Sequence, residues 1–413
     1  MYSLANSISR VSKIVFTPSM LFMVGVMIVN AGNYVYNLML GRKLSPAFFS
    51  EAGLLLTLLL VFAFLAMTFQ IVSAKFSIEF EGMKLTYFKR WINRIGMNVG
   101  VLLSAVMLVF NESLTAFFHL TDRWTMVVFS LALPFYFVMS NYRGFYQGTQ
   151  QFTSLTVSYQ VEMWVRLVVT FMALQVLRVN PSFIVAGSIV FSIVAGHVVL
   201  KPKAHFVGRV PRFEGSGLVI RFFMLTAGYE CAQILINYSD ILLVKHYFDA
   251  TVAGYYTSMA LIGRMIYFVT WMLVMILIPK VINLKKQGQP YRQVLMQYFF
   301  LIAGFSAVLI ASALFFPKLI VTMLFGEAYL PVAHLLWMYA LATTLFALAN
   351  LFVYYYLSLD YRKPVYVAII AGVIQVGLFL QFHESLAQIL TVQIANMSVL
   401  LAFMIHRFVK TKI

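Results

Sequence analysis

The chain has few of the residues from which metal centres and disulfide frameworks are built. Among its 413 residues there are one cysteine, Cys231, and 13 acidic residues. A single cysteine excludes an intrachain disulfide and a cysteine metal cluster. The seven histidines show neither H-E-x-x-H nor a similar ligand spacing. We therefore expect no metal site and no bound cofactor.

Charged residues are scarce as well, and most of the chain is apolar. The chain is 10% charged and 62% hydrophobic, with a mean hydropathy of +0.89. A soluble domain could not bury so much apolar surface, so the composition predicts an all-α integral membrane protein. A membrane-spanning helix needs about 20 apolar residues. Windows of that size predict twelve spans, at 15–40, 52–74, 95–118, 124–142, 153–177, 182–200, 218–244, 252–279, 294–316, 331–357, 364–382 and 386–406.

The distribution of the basic residues that give the net charge of +17 indicates the membrane topology. When successive loops are assigned to alternating sides of the membrane, most of the 30 lysines and arginines lie on one side. That asymmetry is typical of cytoplasmic loops, so both termini are predicted to be cytoplasmic and the basic face to contact anionic lipid. No nucleic-acid partner is needed to explain the charge. The assignment places Arg143 in a loop on the basic side and Lys245 in a loop on the other side.

Two polar stripes of the same spacing interrupt long apolar segments. Residues three and four apart share one helix face, and a polar face within hydrocarbon indicates a cavity or a neighbouring helix. Two such faces are typical of a transporter built from related halves around a shared cavity. The first stripe is Asn30, Asn33 and Asn37, and the second is Glu230, Gln233 and Asn237, extended by Asp240.

A second repeat supports duplication. Ala52-Gly53 opens the second span and Ala253-Gly254 opens the eighth. We predict a six-helix lobe over 1–200, a basic cytoplasmic linker over 201–217 and a second six-helix lobe over 218–413, with the binding site between the lobes. A chance echo of the polar spacing is the alternative.

Five charged residues lie well inside spans: Glu162, Arg166, Glu230, Asp240 and Arg264. An Arg or Asp at a helix centre costs ~2.5–3.5 kcal/mol on insertion scales, so such groups face water or a partner. Arg264 is predicted to lie near the bilayer midplane, where its planar fork could bind a phosphate. The alternative is a structural pair with Glu230 or Asp240. Glu162 and Arg166 are four residues apart and could pair on one helix face.

The remaining candidates concern the coupling ion and the outer end of the first span. Carboxylate and amide oxygens suit a hard cation, so Asp240, Glu230, Gln233 and Asn237 are candidates for coupling Na⁺ or H⁺, with Glu162 as a further carboxylate. Interhelical hydrogen bonding would explain the same residues. Arg42 either contacts a substrate headgroup or is an interfacial anchor.

The order of several short motifs along the whole chain resembles that of polysaccharide flippases, members of the multidrug/oligosaccharidyl-lipid/polysaccharide exporter superfamily. The stretches that carry the resemblance are 40–42 (LGR, with Pro46), 142–148 (YRGFYQG), 237–244 (NYSDILLV), 253–256 (AGYY), 263–264 (GR), 279–280 (PK) and 324–329 (LFGEAY).

This resemblance implies two six-helix lobes around a central cavity, working by alternating access in the bacterial cytoplasmic membrane. The cargo would be an oligosaccharide repeat unit on undecaprenyl diphosphate, and twelve spans favour O-antigen, capsule or exopolysaccharide units over a peptidoglycan precursor. Arg264, Arg42 and Arg166 would receive the diphosphate, while Asn30, Asn33 and Asn37 suit sugars. Polysaccharide-assembly proteins are candidate partners at the basic face.

Two other functions remain open at this point. A cation-coupled multidrug antiporter of the same fold would lean on the carboxylates Glu230 and Asp240, although Arg264 and Arg166 would repel cationic cargo. A membrane enzyme of polysaccharide assembly usually carries a large extracytoplasmic loop, and the predicted outer loops here are short. We therefore expect a transporter and no catalytic residues.

Overall fold

Every regular element in the described part of the chain is a helix, which confirms the all-α prediction. The structure is a computed structural model that describes residues 18–200, 213, 216–267, 270, 273, 277, 281, 284, 285, 287–359, 361 and 363–410. The helices are α1 Pro18–Lys43, α2 Pro46–Glu79, α3 Gly82–Val109, α4 Asn111–Phe117, α5 Trp124–Ser130, α6 Ala132–Gly148, α7 Phe152–Val176, α8 Pro181–Val199, α9 Ser216–Tyr247, α10 Ala250–Gly263, α11 Arg292–Phe315, α12 Pro317–Leu324, a 3₁₀ helix Glu327–Leu335, α13 Leu336–Ser358, α14 Lys363–Gln381 and α15 Leu386–Lys410.

Ten helical segments among the described residues are long and apolar enough to cross a membrane. They coincide with ten of the predicted spans, so this is a multi-pass membrane protein. The other two predicted spans are covered by α1 and, in part, by α10. Beyond Tyr267 the eighth span is described only at isolated positions, and the motif at 279–280 lies outside the described residues.

Local chemistry explains where several helices begin. Proline occupies the first position of α2, α8 and α12, where its missing N–H is not needed and its fixed φ suits a helix. Helix α10 begins after Asp249, whose Oδ1 accepts hydrogen bonds from the N–H groups of Thr251 at 2.9 Å and Val252 at 3.0 Å. This N-cap satisfies two donors that have no partner within the helix.

Two helix boundaries differ from prediction. The third span was predicted at 95–118, but α3 starts at Gly82 and ends at Val109. Its buried residues continue at three- and four-residue spacing from Phe88 to Met107, so the basic residues between 84 and 94 and the predicted span form one helix. The tenth span begins with 3₁₀ geometry around Pro331, which has no N–H to donate to an α-helical ladder.

The chain divides into two compact units that do not follow sequence order. The first consists of Met1–Met39 and Leu58–Glu230, and the second of Leu40–Thr57 and Cys231–Ile413. The C-terminal end of α1 and the N-terminal end of α2 therefore belong to the second unit. The predicted linker over 201–217 lies outside the described residues except at positions 213, 216 and 217, and the predicted lobe boundaries remain a prediction.

Both units bury aromatic and small apolar side chains and expose large apolar ones. In the first unit, Phe80 and Phe88 pack around Phe213, at ring-centroid distances of 5.6 and 5.8 Å. Outward-facing residues such as Val109 and Phe315 are more than two-thirds exposed. Such exposed apolar surface suits contact with lipid.

Candidate functional site

The first unit contains a buried cluster of two arginines and one glutamate. Helix α6 supplies Arg143, and α7 supplies Glu162 and Arg166, all more than nine-tenths buried. Arg143 Nη2 donates to Glu162 Oε2 at 2.7 Å, whereas Arg166 Nη1 lies 3.9 Å from Glu162 Oε1. Arg143 Nε also donates to Ser158 Oγ at 3.0 Å. Arg143 is thus the close partner of the carboxylate, and Arg166 is a looser one.

This cluster carries a surplus positive charge when all three groups are ionised. Arg166 makes its other side-chain hydrogen bond to the neutral amide of Asn33, through Nη2 and Oδ1. Its Nε is buried without a partner in the described part of the chain. An incompletely neutralised guanidinium in a low-dielectric setting attracts an anion.

The first polar stripe contacts this cluster through one of its three residues. Asn33 accepts from Arg166, while Asn37 Nδ2 donates to the carbonyl of Asn33 at 2.8 Å. Asn30 is exposed. Nearby in the first unit, further amides and a hydroxyl form a chain: Tyr159 Oη donates to Gln70 Oε1 at 3.1 Å, and Gln70 Nε2 donates to Gln147 Oε1 at 2.8 Å.

The second unit has a buried acidic centre at Asp240. This residue, on α9, has no exposed surface. Its Oδ1 lies 3.2 Å from Arg264 Nη2, at the end of α10. Its Oδ2 accepts from Tyr256 Oη at 3.0 Å and from Tyr339 Oη at 2.9 Å. The carboxylate therefore has one cationic and two neutral donors, and its charge is matched by Arg264.

The second polar stripe repeats a contact of the first. Asn237 Nδ2 donates to the carbonyl of Gln233 at 2.9 Å, as Asn37 does to Asn33 two hundred residues earlier. The carbonyl of Asn237 accepts from Arg264 Nη2. Each stripe thus accepts a hydrogen bond from an arginine outside its own helix.

A small cavity of about 10 Å³ adjoins Arg264, with room for about one water molecule. Its polar lining includes Asn237, Tyr339, Thr343 and Gln393. Gln393 Oε1 is buried without a partner in the part of the chain that the structure describes.

Glu230 differs from the other two carboxylates. It is 7% exposed, and among the described residues no hydrogen bond or ion pair reaches its side chain. It is the last residue of the first unit, next to Cys231 in the second. Of the predicted coupling-ion residues, it is the carboxylate that forms no ion pair within the described part of the chain.

Arg42 uses its guanidinium within the second unit. Its Nε donates to the carbonyl of Leu324 at 3.0 Å, and its Nη2 donates to that of Met323. These carbonyls belong to the last turn of α12, where they lack helical partners. An arginine at a helix C-terminus also stabilises the helix dipole.

Sequence reasoning missed several of these residues. Arg143 and Lys245 were assigned to loops on opposite sides, but both lie within helices and are at most 3% exposed. Tyr256 and Tyr339 were not distinguished from other aromatic residues. Arg143 directly follows the predicted end of the fourth span. An arginine adjoining an apolar segment was the sequence feature that could have indicated a buried position.

A scan against protein-family models found no match, and neither did a search of curated proteins. Solved structures do match. "Lipid II flippase MurJ, inward closed conformation" has a TM-score of 0.75 at 13% identity, covering 95% of this chain and 88% of that chain. An inward-facing multidrug resistance MATE family transporter of the MOP superfamily has a TM-score of 0.71 at 12% identity, covering 93% and 96%.

The eukaryotic MATE transporter AtDTX14 matches with a TM-score of 0.62 at 16% identity, covering 98% of this chain and 96% of that chain. Identities this low carry information on fold only. The chain has the two-lobed helical fold found in MOP superfamily transporters.

Proposed function

We propose that the protein moves oligosaccharide repeat units, carried on undecaprenyl diphosphate, from the inner to the outer leaflet of a bacterial cytoplasmic membrane by alternating access. The observation that most supports this cargo is the surplus positive charge of Arg143, Glu162 and Arg166. A diphosphate supplies the anionic oxygens that such a cluster lacks, and arginine binds them through two parallel hydrogen bonds.

The three arginines predicted to bind cargo have different surroundings, and these favour Arg166. Arg264 is neutralised by Asp240 at 3.2 Å. Arg42 donates to two carbonyls at the end of α12. Arg166 has a carboxylate only at 3.9 Å and an unpartnered Nε within the described residues. We assign the diphosphate contact to Arg166, with Asn33 beside it as a hydrogen-bonding group for phosphate or sugar.

Translocation requires no covalent step, so the proposal needs no catalytic residue. The amide and hydroxyl groups of Gln70, Gln147 and Tyr159 provide neutral donors and acceptors of the kind that bind sugar hydroxyls. We do not assign an enzymatic role to the chain.

Ion coupling is assigned to Glu230. Asp240 is neutralised by Arg264, and Glu162 is held by Arg143 at 2.7 Å, so binding of Na⁺ or H⁺ at either would have to displace an arginine. Glu230 has no such competitor in the described part of the chain. A buried carboxylate without a partner is the group that gains most from a proton or a cation.

A cation-coupled multidrug antiporter is the second candidate, and Glu230 also favours it, because an unneutralised carboxylate attracts cationic cargo. The fold fits both proposals equally, since flippase and multidrug transporters are both among its neighbours. The charge of the cargo therefore distinguishes them.

Complementation tests the proposal. The native host's gene is deleted, together with any redundant flippase gene, and surface polysaccharide is measured. We expect the intact chain to restore it and Arg166→Gln to fail at equal expression. Arg178→Gln, at an exposed arginine just after α7, is the matched control and should restore it. Unchanged surface polysaccharide in the deletion strain, with loss of cationic-dye efflux, would reject the flippase in favour of the antiporter.

A further inference from the structure

A groove of about 510 Å³ lies between the start of α11 and the end of α15, both in the second unit. The two helices pack against α13, since Phe299 of α11 and Phe408 of α15 lie beside the ring of Phe352, at centroid distances of 5.8 and 5.5 Å. The groove shares no lining residue with the cavity beside Arg264. Its lining is Arg292, Gln293, Met296, Gln297, Phe300 and Phe408.

The lining of the groove changes from polar to apolar along α11. Gln293, Met296, Gln297 and Phe300 are spaced three and four residues apart, so they share one face of the helix. Arg292 precedes them at the first position of the helix. At ~1.5 Å per residue, this face extends ~10 Å from residue 293 to residue 300. Charged, amide and then apolar groups therefore succeed one another over a depth comparable with the headgroup region of a leaflet.

Arg292 is held at the polar end of the groove by α15. Its Nη2 donates to the carbonyl of Phe408, and its Cζ lies 4.2 Å from the centre of the Phe408 ring. That carbonyl belongs to the last turn of α15, where it has no helical partner. These contacts fix the position of the guanidinium. A guanidinium has five N–H donors in one plane, so it can bind a phosphate while it keeps a carbonyl contact.

The chain segments that form the groove carry charge of one sign. Residues 279–315 and 385–413, which include α11 and α15, contain no aspartate and no glutamate. A ligand at the polar end of the groove is therefore expected to be an anion, as basic segments next to a membrane attract anionic lipid. The basic residues of the two segments are Lys280, Lys285, Lys286, Arg292, Arg407, Lys410 and Lys412.

The groove is open to the surface on which lipid would lie. Phe300 is 65% exposed, and Gln293 and Gln297 are exposed as well. Within the described part of the chain, no hydrogen bond reaches the side-chain amide of Gln297, although it lies one turn further along the helix than Gln293. An amide facing lipid without a hydrogen-bond partner costs free energy. The oxygens of a lipid headgroup and its ester groups would supply that partner.

We propose that this groove binds one anionic phospholipid of the membrane. Arg292 contacts its phosphate, Gln293 and Gln297 contact the headgroup and glycerol oxygens, and Phe300 packs on the upper acyl chain. The volume falls within the ~300–1,000 Å³ of ligand sites and suits the headgroup with the first part of the chains. The basic end lies on the predicted cytoplasmic face. The proposal does not depend on the cargo, because the groove is separate from the residues assigned to transport.

Lipid titration of the purified full-length chain tests the site. The probes are phosphatidylglycerol and phosphatidylcholine with identical acyl chains, and native mass spectrometry counts the lipids bound. We expect one phosphatidylglycerol to bind about fivefold more tightly than phosphatidylcholine, the preference that one basic residue gives for an anionic lipid. Arg292→Gln should lose this preference and Arg292→Lys should keep most of it. Lys363→Gln is the matched control, because Lys363 is an exposed basic residue at the first position of α14, and it should leave the preference unchanged.

A second variant keeps the test valid if Arg292→Gln does not fold. Gln293 is exposed, and Gln293→Glu retains its shape while adding a negative charge beside the phosphate, so the preference should fall. Equal affinity of the intact chain for both lipids would overturn the proposal, as would a preference that Gln293→Glu leaves unchanged or that Lys363→Gln abolishes. Undecaprenyl phosphate that displaces an equal concentration of phosphatidylglycerol would assign the groove to the carrier lipid and would also overturn it.

A fluorescence measurement locates the bound lipid. A fluorophore is attached to Phe300→Cys in a Cys231→Ser background, and the lipids carry a nitroxide quencher near the top of one acyl chain. The control is the same fluorophore on Phe315→Cys, at the far end of α11 and 72% exposed. We expect phosphatidylglycerol to quench more than phosphatidylcholine at position 300 and both lipids to quench equally at 315. Equal quenching by the two lipids at both positions would reject the site.

Discussion

Replacing Arg264 by methionine should strongly destabilise the second unit. The substitution keeps an apolar chain of similar length. Among the described residues it leaves the Asp240 carboxylate, which has no exposed surface, with the hydroxyls of Tyr256 and Tyr339 as its partners. Removing one partner of a buried ion pair costs about 3–5 kcal/mol, because the other charge stays buried. We expect a loss in that range in the free energy of unfolding.

Three comparisons make this test specific. Asp240→Asn combined with Arg264→Met removes both charges, and we expect the double variant to recover most of the lost stability. Arg42→Met removes an exposed arginine from a helix end and should cost under about 1 kcal/mol. Stability is measured for the purified protein by denaturant titration in mixed micelles. Additive effects of the two substitutions, or an Arg264→Met variant as stable as Arg42→Met, would refute the reasoning.

Three further predictions follow from the contacts. Arg143→Met should destabilise the protein more than Arg166→Met, because Arg143 is the closer partner of Glu162; thermal unfolding of the two variants compares them. Gly254→Val should reduce the yield of folded protein, which gel-filtration profiles check. Gly377→Ala, where an added Cβ meets open space on a helix, should raise the free energy of unfolding by up to about 1 kcal/mol, which unfolding curves check. Glu230→Gln should remove the dependence of transport on the Na⁺ or H⁺ gradient; unchanged gradient dependence would contradict the assignment of coupling to this residue.

Hydropathy predicted the spans because each must cross the same apolar thickness, whatever its neighbours. It did not predict the end of α3 at Val109, because the polar Asn111 and Glu112 that follow are few, and the apolar residues of α4 beyond them keep the mean hydropathy of the window high. The 3₁₀ start of the tenth span had a visible signal in Pro331, but its tertiary setting decides where the α-helix begins.

The candidate site also contains contacts that the sequence alone could not predict. The four-residue spacing of Glu162 and Arg166 predicted a pair on one helix face, and the structure brings the two side chains to 3.9 Å. It gave no sign of Arg143, which reaches the same carboxylate from α6. The alternatives for Arg264 included a structural partner, and Asp240 is that partner. Spacing reports contacts within a helix, whereas contacts between helices depend on the fold.

The two buried charged clusters have different roles in the proposed transporter. Asp240 and Arg264 neutralise each other and hold three helical segments of the second unit together, through α9, α10 and the tyrosine of α13. Arg143, Glu162 and Arg166 leave one positive charge over in the first unit. The first arrangement suits structure and the second suits an anionic ligand.

The most direct test of the central claim is flipping in proteoliposomes that contain only the purified protein and a fluorescent undecaprenyl-diphosphate oligosaccharide. Quenching by an impermeant reagent reports how much label is in the outer leaflet. The account predicts rapid exchange with the intact chain and a large loss with Arg166→Gln, but not with Arg178→Gln. Label that stays in its original leaflet, in vesicles that transport a cationic dye under the same conditions, would contradict it.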